Sequence, residues 1–253
     1  MGKFDGILLM SDFDGTLSVR DGAISRENRD AIEYFESEGG RFCIASGRWG
    51  EYVRALHAPI NAYCAVLNGT VIYDVEKNEN VIELPLDIKK TVEFAKVISK
   101  ACPKRQCLRF HSSVERYNLY PDDDIEAVID SFPKPLYKFL CIVPDEVSDE
   151  YLAKIRELAG EDFYISRSWV NGIEIQPAGT TKGDAIARLK ELYGGKIHTV
   201  VAVGDYENDV DMIKKADIGY AVANAVPELA AVADRHTVDC RDHAIAAIIK
   251  ELA

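Results

Sequence analysis

The apolar run Ile7-Leu8-Leu9-Met10 passes without a break into Ser11-Asp12-Phe13-Asp14-Gly15-Thr16. A short run with no polar alternation reads as a strand covered on both faces, the kind that parallel sheets use. On extended backbone, positions i and i+2 share a side, so Asp12 and Asp14 crowd one small region. Like charges held this close are costly unless a cation lies between them or one acid keeps a proton. Either a compensating cation or a retained proton is therefore expected at the end of this strand.

The segments that follow narrow the fold. A helical stretch with Ala31, Ile32 and Phe35 at helical spacing starts at a Ser25 cap and stops at Gly39-Gly40. RFCIASG from Arg41 reads as strand, residues Glu51 to His57 as a short helix, and AYCAVLNG from Ala62 as a third strand. This βαβαβ order predicts an α/β fold with a doubly wound, parallel, Rossmann-like sheet. TVIYD and NVIELP then flank a polar turn as a hairpin. Beyond Leu84 the pattern becomes a separate α+β module, with helical TVEFAKVISKA, DDDIEAVIDSF and SDEYLAKIRELAG among extended RQCLRFHSS, LYKFLCIVP, DFYISRSW and GIEIQPAG. The first pattern resumes with KGDAIARLKELYG, HTVVAVGD, NDVDMIKKA and IGYAVA, followed by helical PELAAVA and a last helix from about Asp242. The expected organisation is one core, residues 1–83 plus 178–253, interrupted by a module at 84–177 that Pro85, Pro177 and Gly179 punctuate.

A net charge of -12 over 253 residues is the wrong sign for neutralising nucleic-acid phosphates or anionic lipid, so no nucleic acid and no membrane are expected as partners. Any phosphorylated ligand must be small and locally handled. The six cysteines lack a CxxC pair and several sit in apolar runs, which fits buried, reduced thiols. With neither a signal-peptide pattern nor a bilayer-length apolar run, a cytoplasmic protein is expected.

In open parallel sheets, ligands bind beyond the carboxyl ends of the strands, where strand order reverses. Strand one ends in Asp12 and Asp14, strand two in Ser46-Gly47-Arg48, strand three in Asn68-Gly69, and the strand after the insertion in Gly204-Asp205, with Asn208 and Asp209 following. A single acid in such a place is ordinarily a helix cap. Several acids converging on one edge repel strongly unless neutralised, and a hard, oxygen-liganded cation such as Mg2+ does this. Lys182 adds positive charge, and Ser46 with neighbouring amides can hold the oxygens of an anion. A site of this make-up binds phosphate.

DFDGT at Asp12, SGR at Ser46, Lys182 within TTKGDAI and GDYEND from Gly204 resemble the four ordered motifs of the haloacid dehalogenase superfamily of phosphohydrolases. The short interval from Asp12 to Ser46 and the long one from Ser46 to Lys182 are similar to the Cof-like subgroup, whose substrate-specificity cap, an α/β domain, lies between the second and third motifs. The resemblance implies a catalytic core over 1–83 and 178–253 and a cap over 84–177. It implies a Mg2+-dependent phosphatase of small phosphorylated metabolites, sugar phosphates foremost, working through an aspartyl-phosphate. Carried over by residue, Asp12 is the nucleophile, and Asp14, positioned by Thr16, is the general acid and then the base. Asp12, Asp205, Asp209 and the Asp14 carbonyl hold the metal. Phe13, Ser46, Gly47, Lys182 and Asn208 hold the phosphoryl group.

Specificity is expected from the module. Arg109, His111, Arg116 and Tyr117 are candidates there, and the stretch SRSWVNGIEI, similar to the approaching part of Cof-like caps, adds Arg167, Trp169 and Asn171. Arg48 is expected to face the leaving group. A phosphomutase would share the first chemical steps, and a phospho-Asp receiver module would share the acids, hydroxyl, lysine and metal. Sustained release of inorganic phosphate separates a hydrolase from both. A dinucleotide-binding oxidoreductase lacks its GxGxxG here.

Overall fold

The opening apolar run is a buried strand: Leu8, Leu9 and Met10 are fully covered. The computed structural model describes residues 2–19 and 22–253, so Met1, Arg20 and Asp21 of the expected core lie outside the described residues. Along the chain run β1 (Ile7–Ser11), α1 (Arg26–Ser37), β2 (Arg41–Ile44), α2 (Gly50–Ala55), β3 (Cys64–Val66), β4 (Val71–Asp74) and β5 (Glu79–Glu83). Next come α3 (Ile88–Ala101), β6 (Cys107–His111), β7 (Arg116–Leu119), α4 (Ile125–Ser131), β8 (Lys138–Ile142), α5 (Ser148–Leu158), β9 (Phe163–Trp169) and β10 (Gly172–Pro177). The chain finishes with α6 (Lys182–Leu192), β11 (Thr199–Gly204), α7 (Val210–Lys215), β12 (Ile218–Ala221), α8 (Pro227–Ala230), β13 (Arg235–His236) and α9 (Ala244–Leu252). It divides into two units, one comprising the residues through Ile82 together with Thr181–Ala253, the other Glu83–Thr180.

In the first unit a five-stranded sheet runs β13-β12-β11-β1-β2, with every neighbouring pair parallel. Its register decides where chemistry can occur. Ser11 lies opposite both Val203 and Ile44, so the strands flanking β1 end level with it. Asp12, Asp205 and Ser46 each follow within two residues of those ends. Strand order also reverses at β1, which has β2 on one side and β11 on the other, giving the crevice where such sheets bind ligands. The short sheet β3-β4-β5 connects through a parallel bridge between Ala45 and Ala65, which brings Asn68 to the same edge.

Local rules explain the helices that frame this edge. The α1 cap is Ser25, whose hydroxyl accepts from the Asn28 amide, and Ile32 and Phe35 turn inward from the helix. A full capping box, Thr181 with Asp184, starts α6.

The second unit is a two-layer α+β arrangement. Its sheet, β7-β6-β8-β10-β9, is antiparallel throughout. Helices α3, α4 and α5 pack on one face, where Phe94, Ile98, Ile129 and Ile155 meet Phe110, Phe139 and Ile175. Asp87 and Asp124 cap α3 and α4. Strand β7 has no counterpart in the sequence reading: at the sheet edge only Leu119 of its four residues is buried, so the sequence RYNL carries little alternation. The helix expected through PELAAVA is confined to the single turn Pro227–Ala230.

Because β1 is hydrogen-bonded on both edges and Leu9 is fully buried, Leu9→Ala should destabilise by about 2–5 kcal/mol through lost burial and a residual cavity. In the same urea melts, Leu192→Ala on half-exposed α6 should stay within about 0.5 kcal/mol.

Candidate active site

The carboxyl edge of the parallel sheet gathers its charges around one ammonium. Lys182 is the first residue of α6, and its side chain is fully buried. Its Nζ donates to Asp12 Oδ1 and to Asp209 Oδ1, both at 2.6 Å. Asp209 is itself fully buried, and its second oxygen accepts the amides of Asp205 at 3.1 Å and Tyr206 at 3.3 Å. Oxygens of Asp12, Asp205 and Asp209 lie within 4.8 Å of one another, the one such group among the described residues.

Three carboxylates thus face a single lysine. At such separations each close pair repels by on the order of 3–4 kcal/mol with an effective dielectric of about 20. The titration behaviour follows. Burial, and then the charge of Asp209, hold the Asp12 carboxyl well above its usual range against the pull of Lys182. Asp205 is pushed up to about 7 by burial and by Asp209, with the Thr16 hydrogen bond opposing. Burial alone would lower Lys182, but Asp12 and Asp209 outweigh it and keep the ammonium charged. Hard oxygen donors carrying uncompensated charge suit a small divalent cation.

The turn after β1 is shaped to admit Asp205. Gly15 has φ +97°, and a Cβ there would come within 2.5 Å of Asp205 Oδ2. Thr16, expected to position Asp14, instead donates through Oγ1 to Asp205 Oδ1 at 3.0 Å. Asn224 Nδ2 holds the Gly15 carbonyl at 2.8 Å. Asp14 turns its carboxylate to Arg48, which grips it with Nε at 3.0 Å and Nη2 at 3.1 Å, while the guanidinium lies 4.6 Å over the Tyr52 ring. The Phe13 side chain is buried, edge-on to Tyr52. Ser46 is buried with its Oγ accepting the Arg48 amide at 3.1 Å, and Gly47 is half-buried between them. Asn208 Nδ2 donates to Asn68 Oδ1 at 3.3 Å.

Some supports were missed in the sequence. Thr181 Oγ1 bonds both Asp184 and Asp211, and Lys215 Nζ reaches Asp184 at 2.7 Å and Asp211 at 2.8 Å. These contacts tie the start of α6, which carries Lys182, to α7, which follows Asp209. The approach is close enough that a Cβ on Gly183 would meet the Asp211 carbonyl oxygen at 2.5 Å. The Thr-x-x-Asp spacing at Thr181 could have signalled the cap; nothing local marks Asp211. Asn68 has left-handed backbone, φ 61°, just past β3, and the Asn-Gly pair there was its signal.

The candidates of the inserted unit engage separate partners. Arg167 Nη1 bonds Asp149 Oδ1 of α5 at 2.6 Å. Asn171 Nδ2 bonds the Val143 carbonyl at 3.0 Å and also Asp145. Trp169 packs against Cys107, Leu140 and Ile142. Tyr117 stacks on Phe132 and bonds Glu115, Arg116 is exposed, Arg109 donates to Asn118, and His111 is buried.

Residues 9–249 match the haloacid dehalogenase-like hydrolase family. The chain belongs to the haloacid dehalogenase-like hydrolases. Within that superfamily it is a Cof-like phosphatase, a phosphoric monoester hydrolase. It is 29% identical over 221 residues to 5-amino-6-(5-phospho-D-ribitylamino)uracil phosphatase YcsE of Bacillus subtilis, covering 86% of this chain and 84% of that protein. It is 25% identical over 234 residues to the HMP-PP phosphatase of Yersinia enterocolitica, covering 86% and 84%. In three dimensions it resembles a haloacid dehalogenase-like hydrolase from B. subtilis, with a TM-score of 0.82, 21% identity, and coverage of 97% and 99%. Haloacid dehalogenase-like enzymes are generally metal-dependent, and the Asp12–Asp205–Asp209 group can hold a metal. No helix among the described residues is long and apolar enough to cross a membrane.

The raised Asp205 carboxyl gives the metal question a sign. Between about pH 4 and about pH 7 the folded chain keeps a proton there that the unfolded chain has released, so metal-free stability falls as pH rises through that window. A bound cation favours the ionised carboxylates, so Mg2+ should raise Tm more at about pH 8 than at about pH 5. An equal or reversed increment in thermal melts would count against a cation among these acids.

Proposed function

We propose that the protein is a Mg2+-dependent hydrolase of small phosphorylated metabolites, with Asp12 as the nucleophile in an aspartyl-phosphate mechanism. The observation that carries this reading is the pairing of Asp12 with buried Lys182 inside the three-carboxylate group. Lys182 fixes one Asp12 oxygen, leaving the carboxylate oriented for attack. Asp12, Asp205 and Asp209, with the Asp14 carbonyl, are the residues that would hold Mg2+. The ion, when bound, supplies charge neutralisation as the anionic substrate meets the anionic nucleophile.

In the proposed cycle Asp12 Oδ attacks phosphorus as the ester oxygen departs, and Asp14 gives that oxygen a proton. Asp14 then takes a proton from water, whose oxygen displaces Asp12 from phosphorus and releases inorganic phosphate. The Arg48 clamp bears on this sequence. Asp14 has to leave the guanidinium to act as an acid, and an incoming phosphate, itself a bidentate partner for arginine, competes for Arg48. Lys182, Ser46, Asn208 and the backbone amides of Phe13 and Gly47 stabilise the transferring phosphoryl group, whose charge lies on its equatorial oxygens.

The inserted unit is proposed to act as a specificity cap, with Arg167, Trp169 and Asn171 as candidate contacts alongside Arg48. For the substrate, sugar or polyol phosphates are proposed; a relative that acts on a phosphoribitylamino compound supports that class. A cytoplasmic location is proposed from the unpaired cysteines, five of them buried.

Asp12→Asn should abolish phosphate release while leaving the thermal melt cooperative; turnover near the wild-type rate would remove the covalent mechanism. Asp14→Asn should lose about 10²- to 10⁴-fold with an alkyl phosphate but less with p-nitrophenyl phosphate, whose leaving group hardly needs a proton. Equal losses on both esters would argue against the acid role.

A further inference from the structure

The loop between β12 and α8, residues 222–226, contributes no acid to the cluster, yet it bonds to both turns that carry acids. It leaves β12 on the far side of β11 from β1. The Val226 amide donates to the Asp205 carbonyl at 2.8 Å, and the Val222 amide to the Gly204 carbonyl at 3.3 Å. Asn224 reaches past the end of β11 to the turn after β1, where its Nδ2 donates to the Gly15 carbonyl at 2.8 Å. Its Oδ1 accepts the Cys240 amide at 2.9 Å. An asparagine in a loop ordinarily bonds to backbone two residues along. The partners of Asn224 lie instead 209 and 16 positions away. One is a carbonyl and the other an N–H, so chemistry fixes which way the carboxamide points.

What Asn224 holds is the softest point of the turn. Gly15 has left-handed backbone and the conformational freedom of a residue without Cβ. Its amide is tied to the Ser18 carbonyl at 2.7 Å, and its carbonyl is tied to Asn224. The next residue, Thr16, donates to Asp205 Oδ1. We infer that Asn224 is a positioning residue for the divalent-cation site: it holds the turn between Asp14 and Thr16, and through Thr16 the Asp205 carboxylate. This rests on the proposed function in taking Mg2+ as the ion.

Preorganisation gives the direction of the effect. Without the Asn224 carboxamide the acids remain and still attract a cation, but the cation must then order the turn as it binds. Affinity for Mg2+ falls as a result. Lys182 and Ser46, proposed to hold the phosphoryl group, are not partners of Asn224, so substrate affinity should move little. A residue that merely stabilised its own loop would lower Tm and leave the Mg2+ dependence where it was.

Titrating Mg2+ alone into the full chain, with the backbone amide NMR signals of Gly15 and Thr16 as reporters, tests this without turnover. Half-saturation of Asn224→Ala should need about tenfold more Mg2+ than the wild type, and Asn224→Gln, which keeps a carboxamide, should recover part of the loss. In the metal-free chain the Gly15 amide of Asn224→Ala should exchange with solvent faster, while the amides of β1 keep their wild-type protection. Should Asn224→Ala fail to fold, Asn224→Leu, close to asparagine in shape, takes its place. At limiting Mg2+ the variant should show about tenfold lower kcat, with KM for p-nitrophenyl phosphate changed by less than about twofold, and excess Mg2+ should restore most of kcat. An unmoved Mg2+ half-point beside a lowered Tm makes Asn224 a structural residue and overturns the inference, as does a wild type in which Mg2+ shifts neither signal. A wild type that binds Mg2+ but hydrolyses no phosphate ester would sink the phosphatase reading, while the half-points still decide this one.

Discussion

An ammonium group without solvent is the interaction on which the first unit is built. Lys182 is buried on every side, which is unfavourable for a lysine unless acids surround it. Asp12 and Asp209 supply them from the ends of two different stretches of chain, and the lysine in turn makes their closeness tolerable. Neither side of this arrangement is stable alone. Removing the charge at Lys182 leaves two buried carboxylates in mutual repulsion, and removing either acid leaves the ammonium short of a partner.

Holding three charges in that relation requires a rigid surround. Parallel register pairs Ser11 with Val203 and so brings Asp12 and Asp205 out just past neighbouring strand ends, and two backbone amides fix the second oxygen of Asp209. Left-handed backbone at Gly15 keeps the turn clear of Asp205, while Thr16 holds its other oxygen. Behind Lys182, the Thr181, Asp184, Asp211 and Lys215 contacts fasten α6 to α7. Preorganisation of this kind lets fixed charges act on a developing phosphoryl charge without rearranging during the reaction.

Much of this was legible in the residues because the signals were local. A continuous apolar run announced β1, the extended reading of DFYISRSW and GIEIQPAG announced β9 and β10, and acids just beyond apolar runs announced the edge where Asp12, Asp205 and Asp209 meet. Side-chain partnerships across the sequence were not legible. Thr16 goes to Asp205 and Asp14 goes to Arg48, because those choices depend on distances that only the folded sheet sets. Strand β7 escaped notice because an edge strand with one buried residue has no pattern to show. His111 could be named as a candidate from its type, but its burial without a hydrogen-bond partner among the described residues is a property of the register between β6 and β8.

The inserted unit leaves the first unit after Ile82 and returns before Thr181, so the capping threonine of α6 already belongs to the unit that carries Lys182. Every group that meets around that lysine comes from the first unit. Under the proposed function, recognition and reactivity therefore sit on separate segments of the chain. If the inserted unit is the specificity cap proposed above, exchanging the segment between those two junctions for one from a relative would alter which molecules are accepted and leave the acid–lysine assembly as it is.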